Sequence, residues 1–180
     1  LGEGAIATLN YANKVLALIL GLGATAVGRA ILPVLSEAIL EPNNAWRIAH
    51  RWSQLLLLLG IAGVVIGWLL APLMIKLLFE RGEFTPEDTV MVVDVLRCGL
   101  MQVPFYLSGI VLVRFLASYN KYLLITIISS VVTILKIPFN FILIKWIGVQ
   151  GVSLATSLMY FCSWLILLIV CRRLMMKGVA

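Results

Sequence analysis

A polytopic, all-α transmembrane helix bundle is the fold class this sequence predicts, and three observations predict it. Only 12% of the 180 residues are charged, 62% are hydrophobic, and the mean hydropathy is +1.09. A soluble domain carries roughly a quarter charged and about half apolar residues, so this chain cannot cover a water-facing surface. The apolar residues also gather into five stretches, each near or above the ~20 residues that cross hydrocarbon. Short polar breaks separate them without a linker or low-complexity tract. We read one domain over 1–180, with spans at about 8–35, 54–78, 86–117, 122–146 and 151–171.

The first span carries Lys14 and Arg29 and meets Pro33 near its end. Glu41-Pro42-Asn43-Asn44 closes it, and Asn43 or Asn44 can cap a short interfacial helix running through His50 and Arg51. The second span is free of charge from Leu55 to Ile75. Thr85-Pro86-Glu87-Asp88 opens the third: a hydroxyl N-cap, proline at the first helical position, then acids at the positive end of the helix dipole. Asp94, Arg97 and Pro104 lie inside it. The fourth contains Lys136 and Pro138, and Gly148 and Gly151 frame the turn into the fifth.

Orientation follows from the basic residues. Arg47, Arg51, Arg114, Lys121, Arg172, Arg173 and Lys177 fall on one side, and Lys76, Arg81 and Lys145 on the other. Seven against three makes the first side cytoplasmic, so the chain starts outside and ends inside. Starting at Leu1 without Met or a signal-like region, it reads as an internal piece of a longer protein.

The function classes narrow by exclusion. The +6 net charge is spread singly, with no basic run or aromatic platform, so no nucleic-acid partner is expected. Cys98, Cys162 and Cys171 have no metal or disulfide spacing, and a lone His50 cannot complete a ligand set or triad. Neither an enzyme, a metal nor a cofactor is expected.

The angular placement of the polar residues is the remaining signal. Lys14, Ala17, Gly21, Ala24 and Gly28 recur at helical spacing, as do Asp94, Arg97, Met101, Pro104 and Ser108. Thr126, Ser129, Thr133, Lys136 and Asn140 form a third such stripe, and Ser153, Thr156, Tyr160 and Ser163 a fourth. In the second span Gly60, Gly63, Gly67 and Ala71 make a small stripe suited to helix packing. A lysine at membrane depth costs at least ~2.5 kcal/mol on insertion scales and normally faces a partner or an aqueous cavity. Lys14 and Lys136 are therefore the candidate cavity cations, with Asn10, Asn13 and Asn140 beside them, for a partner that is anionic and partly lipidic. Asp94 and Arg97, three apart, are placed to form an ion pair.

Three segments carry a family resemblance. The run LNYANKVLALILGLGATAVGRAILPVLSEAI, through its Tyr11-Ala12-Asn13-Lys14 and Leu32-Pro33-Val34-Leu35-Ser36 elements, resembles a helix of the bacterial lipid II flippases (the MurJ/MviN family). LLFERGEFTPEDT is similar to that family's external loop, and GVQGVSLATSL to the turn after its Asn-containing helix. The resemblance implies the fold of the multidrug/oligosaccharidyl-lipid/polysaccharide exporter superfamily, with two helical lobes around a cationic cavity. This chain would supply part of the second lobe, with the missing first lobe of the same parent protein as partner.

It implies a membrane flippase in the bacterial cytoplasmic (inner) membrane, moving a lipid-linked oligosaccharide diphosphate such as the peptidoglycan precursor lipid II by alternating access. The family's cavity arginine falls on Lys14 and the acid often before it on Asn13, so charge is kept while bidentate phosphate contact is lost. An O-antigen or exopolysaccharide flippase of the same superfamily is the alternative. A non-transporting membrane fragment or interaction subunit is the alternative from another class.

Overall fold

The computed structural model describes residues 4–38, 42–80 and 84–176. They are all helical apart from short connections: α1 (Ala5–Ala38), α2 (Pro42–Phe79), α3 (Pro86–Leu100), α4 (Val103–Ser118), α5 (Tyr122–Ile147) and α6 (Gln150–Met176). With α3 and α4 counted as one span, five segments among the described residues are long and apolar enough to cross a membrane.

Two elements differ from the sequence reading. No separate interfacial helix precedes the second span, because nothing between Arg51 and Leu55 breaks a helix and α2 runs through unbroken. Pro42, lacking an N–H, takes the helix start. Asn44 is already inside, accepting from Arg47 Nη2 at 2.8 Å instead of capping. The third span is in turn two helices. Pro104 cannot donate to the Leu100 carbonyl, and the chain turns at Met101-Gln102, where the Gln102 N–H (3.2 Å) and Nε2 (2.8 Å) both donate to Gly99 O. The break splits the expected stripe: Pro104 and Ser108 are buried, whereas Met101 is exposed and Asp94 and Arg97 are half-buried. At the start of α3, Thr85 and Asp88 form a reciprocal capping box, Thr85 N–H donating to Asp88 Oδ2 at 2.9 Å and Asp88 N–H to Thr85 Oγ1 at 3.2 Å.

α4 is the centre of the bundle, packing on α1, α2 and α6, while α5 lies mainly on α6. Apolar packing forms two clusters. One joins Val27, Ile31, Ala49, Leu112, Phe115 and Leu167; the other joins Ala12, Leu16, Ile75, Val92, Leu96 and Leu100. Side chains such as Leu22, Leu58, Leu69, Leu123, Phe141 and Trp146 project outward and exposed, an arrangement suited to surroundings of lipid or further helices rather than water.

Between the clusters a buried hydroxyl ties three helices. Ser108 Oγ of α4 donates to Ser53 O of α2 (2.8 Å) and accepts from Trp164 Nε1 of α6 (2.8 Å); the two serine hydroxyls lie 2.6 Å apart. Ser108→Ala strands the Trp164 N–H and the Ser53 hydroxyl. It should lower the unfolding free energy of the detergent-solubilised protein by about 1–2 kcal/mol. Thermal melting checks this against Ser129→Ala, at an exposed position, which should melt like the parent.

Candidate functional site

Lys14 sits on the outward face of α1 because the opposite face, Ala12, Val15 and Leu16, is buried against the rest of the bundle. Asn10, Asn13 and Lys14 are all exposed. The Lys14 ammonium lies 5.3 Å from the centroid of the Tyr11 ring, a cation–π distance. That ring is braced by Phe79 at 4.9 Å and Phe84 at 5.2 Å. Further along the stripe Ala17 and Gly21 are bare, and a side chain added at Gly21 would meet nothing within 4 Å. At its far end Gly28 is buried, 3.8 Å separating the place of an added Cβ from Arg114 Nη2 of α4. Among the described residues, no carboxylate forms an ion pair with Lys14, Arg114 or Lys136.

Lys136 and Asn140 are half-buried on α5, and the Asn140 Oδ1 is buried without a hydrogen-bond partner. The structure does not bring these two residues onto Lys14. α1 packs on α3 and α4, α5 packs on α6, and α1 and α5 share no packed interface.

A cavity of about 570 Å³ lies between these flanks, lined by Ala24 of α1, Tyr106 and Arg114 of α4, Ser129 of α5, and Tyr160 and Ser163 of α6. Tyr106 and Tyr160 meet edge-on at 5.3 Å. Arg114 is the functional candidate that sequence reasoning misses, because on the sequence alone it serves only as a topology marker. Its signal was available: a lone cation in an otherwise apolar stretch, in helical register with Tyr106, Ile110 and Ala117. A second cavity, about 730 Å³, is walled by Thr8, Tyr11, Phe79, Asp88, Asp94 and Gln150. Among the described residues its two acids are already engaged, Asp88 in the capping box and Asp94 with Gln150 Nε2 at 3.3 Å and Arg97 Nη1 at 3.9 Å.

Chemically, the arrangement presents single cations and hydroxyls on apolar walls, suited to an anionic headgroup carried by a lipid. Among the described residues no group of three or more His, Cys, Asp or Glu is placed to hold a metal ion.

Comparison with known proteins matches this architecture. The family model described as lipid II flippase MurJ covers residues 1–178. A Helicobacter pylori (strain J99) protein named "Probable lipid II flippase MurJ" is 33% identical over 167 residues, covering 88% of this chain and 35% of its own length. A Vibrio cholerae protein of the same name is 30% identical over 192 residues, covering 99% of this chain and 34% of its own. Among solved structures, "Lipid II flippase MurJ, inward closed conformation" superposes with a TM-score of 0.84 at 25% identity, over 95% of this chain and 36% of that one. The chain thus spans about a third of the length of these relatives. With the family model matching almost every residue, and with five segments among the described residues long and apolar enough to cross a membrane in the matching fold, the chain belongs to the lipid II flippase MurJ family.

Proposed function

We propose that this chain forms one wall of a translocation pathway for a lipid-linked oligosaccharide diphosphate, with lipid II as the substrate. The first lobe of the parent protein forms the facing wall. The observation that carries this reading is Lys14, exposed on the outward face of α1 with no carboxylate paired to it among the described residues. A diphosphate is the complementary charge, and the exposed apolar flanks leave the polyprenyl tail in lipid. Asn10 and Asn13 beside Lys14, and Lys136 and Asn140 on α5, are the further headgroup contacts. Rocking of the two lobes would bring the α1 and α5 faces to the substrate in turn, first from the cytoplasm and then from outside.

Cells depleted of their native lipid II flippase test this. Expression of the full-length parent should restore growth. Failure to do so at normal membrane abundance overturns lipid II as substrate and leaves the polysaccharide-flippase reading.

The pathway also has a direction: we place the start of the chain outside and its end in the cytoplasm, with 1–180 as one domain. Seven basic residues assigned to one side against three support this. In a cysteine-free background, Glu83→Cys should react with a membrane-impermeant thiol reagent from outside only, and Arg172→Cys only after the inner side is opened. Glu83 lies outside the described residues, while Arg172 is exposed near the end of α6. The reverse labelling pattern would invert the topology.

A further inference from the structure

The sequence reading treats Arg97 as a neighbour for Asp94, but most of its contacts are to another helix. Pro72 has no N–H, so the carbonyl four residues earlier in α2, that of Trp68, loses its helical partner. Arg97 of α3 supplies a donor: its Nε reaches Trp68 O at 3.3 Å. The guanidinium also lies over the Trp68 ring, 4.4 Å from its centroid. The Asp94 carboxylate beside it is held from α6 by Gln150. One continuous polar chain, Trp68–Arg97–Asp94–Gln150, therefore crosses α2, α3 and α6 at the point where the α2 hydrogen-bond ladder is interrupted. A side chain that served only to neutralise Asp94 would need none of the α2 contacts.

We propose that Arg97 is a latch on a Pro72 hinge in α2. Prolines are where long helices bend, and this one frees a carbonyl that a neighbouring helix fills. The latch holds the segment Leu73–Phe79 against the bundle, where Ile75 is fully buried. Phe79, at the end of that segment, packs on Tyr11 beneath Lys14. Arg97 is thus a positioning residue: it acts on the Lys14 shelf through the angle of α2, and releasing it lets the end of α2 swing. The latch is a property of the lobe itself and holds whichever molecule is transported.

Spin labels at Leu77→Cys and Phe141→Cys, both exposed sites on different helices, test this by pulsed distance measurement in the full-length parent, reconstituted in lipid without other cysteines. Leu77 lies five residues beyond Pro72, a lever of ~7.5 Å, so a bend change of ~20° moves the label by about 2.5 Å. Arg97→Leu should shift or broaden the distribution by that amount. Arg97→Lys keeps the charge for Asp94, and hence the insertion balance, but lacks the planar fork, and it should do the same. Pro72→Ala restores the missing N–H; in that background Arg97→Leu should add no further change. Two outcomes overturn the latch: a parent-like distribution in both Arg97 variants, or an equal Arg97→Leu response with and without Pro72. Because the readout is a distance, it stands or falls separately from any test of the substrate.

Discussion

Lys14→Met abolishes rescue of flippase-depleted cells, while the protein reaches the membrane at normal or raised abundance. Methionine keeps the apolar length of the stem and removes the charge, which relieves an insertion cost of at least ~2.5 kcal/mol. Abundance therefore separates the site effect from a folding effect. A hydrogen bond to a charged group is worth about 1.5–3 kcal/mol. At 1.4 kcal/mol per decade, its loss weakens headgroup binding by roughly 10- to 150-fold. Lys14→Arg should retain transport, since the guanidinium restores the positive charge and adds bidentate phosphate contact. Lys14→Glu should be at least as damaging as Lys14→Met, through repulsion. The Tyr11 shelf gives a milder companion: the ring supports the ammonium at 5.3 Å without touching the headgroup charge itself. If Lys14→Met rescues growth as well as the parent, Lys14 is a snorkelling interface residue, and the headgroup site belongs nearer Lys136 and Asn140.

How far the residues reveal the molecule depends on whether the cause is local. The five membrane-crossing segments are legible because apolarity over about 20 residues is a property of the segment alone. The Thr85–Asp88 capping box is legible for the same reason, since both partners lie within one turn. The break between α3 and α4 was visible as a proline, but a kink and two separate helices look alike until Gln102 is seen taking the Gly99 carbonyl. The opposite case lies between Arg51 and Leu55, where the change from a polar to a charge-free stretch reads as a boundary and the structure continues one helix.

At the candidate site, the small and polar spacing around Lys14 marks the outward face of α1 only as far as Gly21; by Gly28 the same stripe has turned into the bundle. What spacing along one helix cannot carry is which helices become neighbours. Lys14 and Lys136 each have their own stripe, yet their helices share no packed interface. The partner of Arg97 on α2 is a main-chain carbonyl, which every residue has. Only the proline four residues later distinguishes that of Trp68, and only once α2 and α3 are known to touch.

Contact between helices also sets a large stability effect. Gly60 of α2 lies against the first turn of α4, and an added Cβ would stand 2.5 Å from Pro104 Cα and 3.1 Å from Pro104 N and Cβ. The obstacle is main chain and a rigid ring, not the end of a flexible side chain, so it cannot rotate away. Moving it means separating α2 from α4, the most extensive helix pair in the bundle, beside the place where α3 breaks. Overpacking of an ordinary core costs about 1–3 kcal/mol, and here the yielding element is backbone. Gly60→Val should therefore remove 3 kcal/mol or more, on the order of the upper end of that range, and sharply reduce the folded protein recovered from membranes. Gly63, one turn along the same stripe, has nothing within 4 Å of an added Cβ and faces outward, so Gly63→Val should leave recovery and melting close to the parent's. The pair controls for composition, since both variants add the same side chain to the same helix three residues apart. Equal melting of the two would mean that α2 and α4 do not approach through Gly60 as the structure has them.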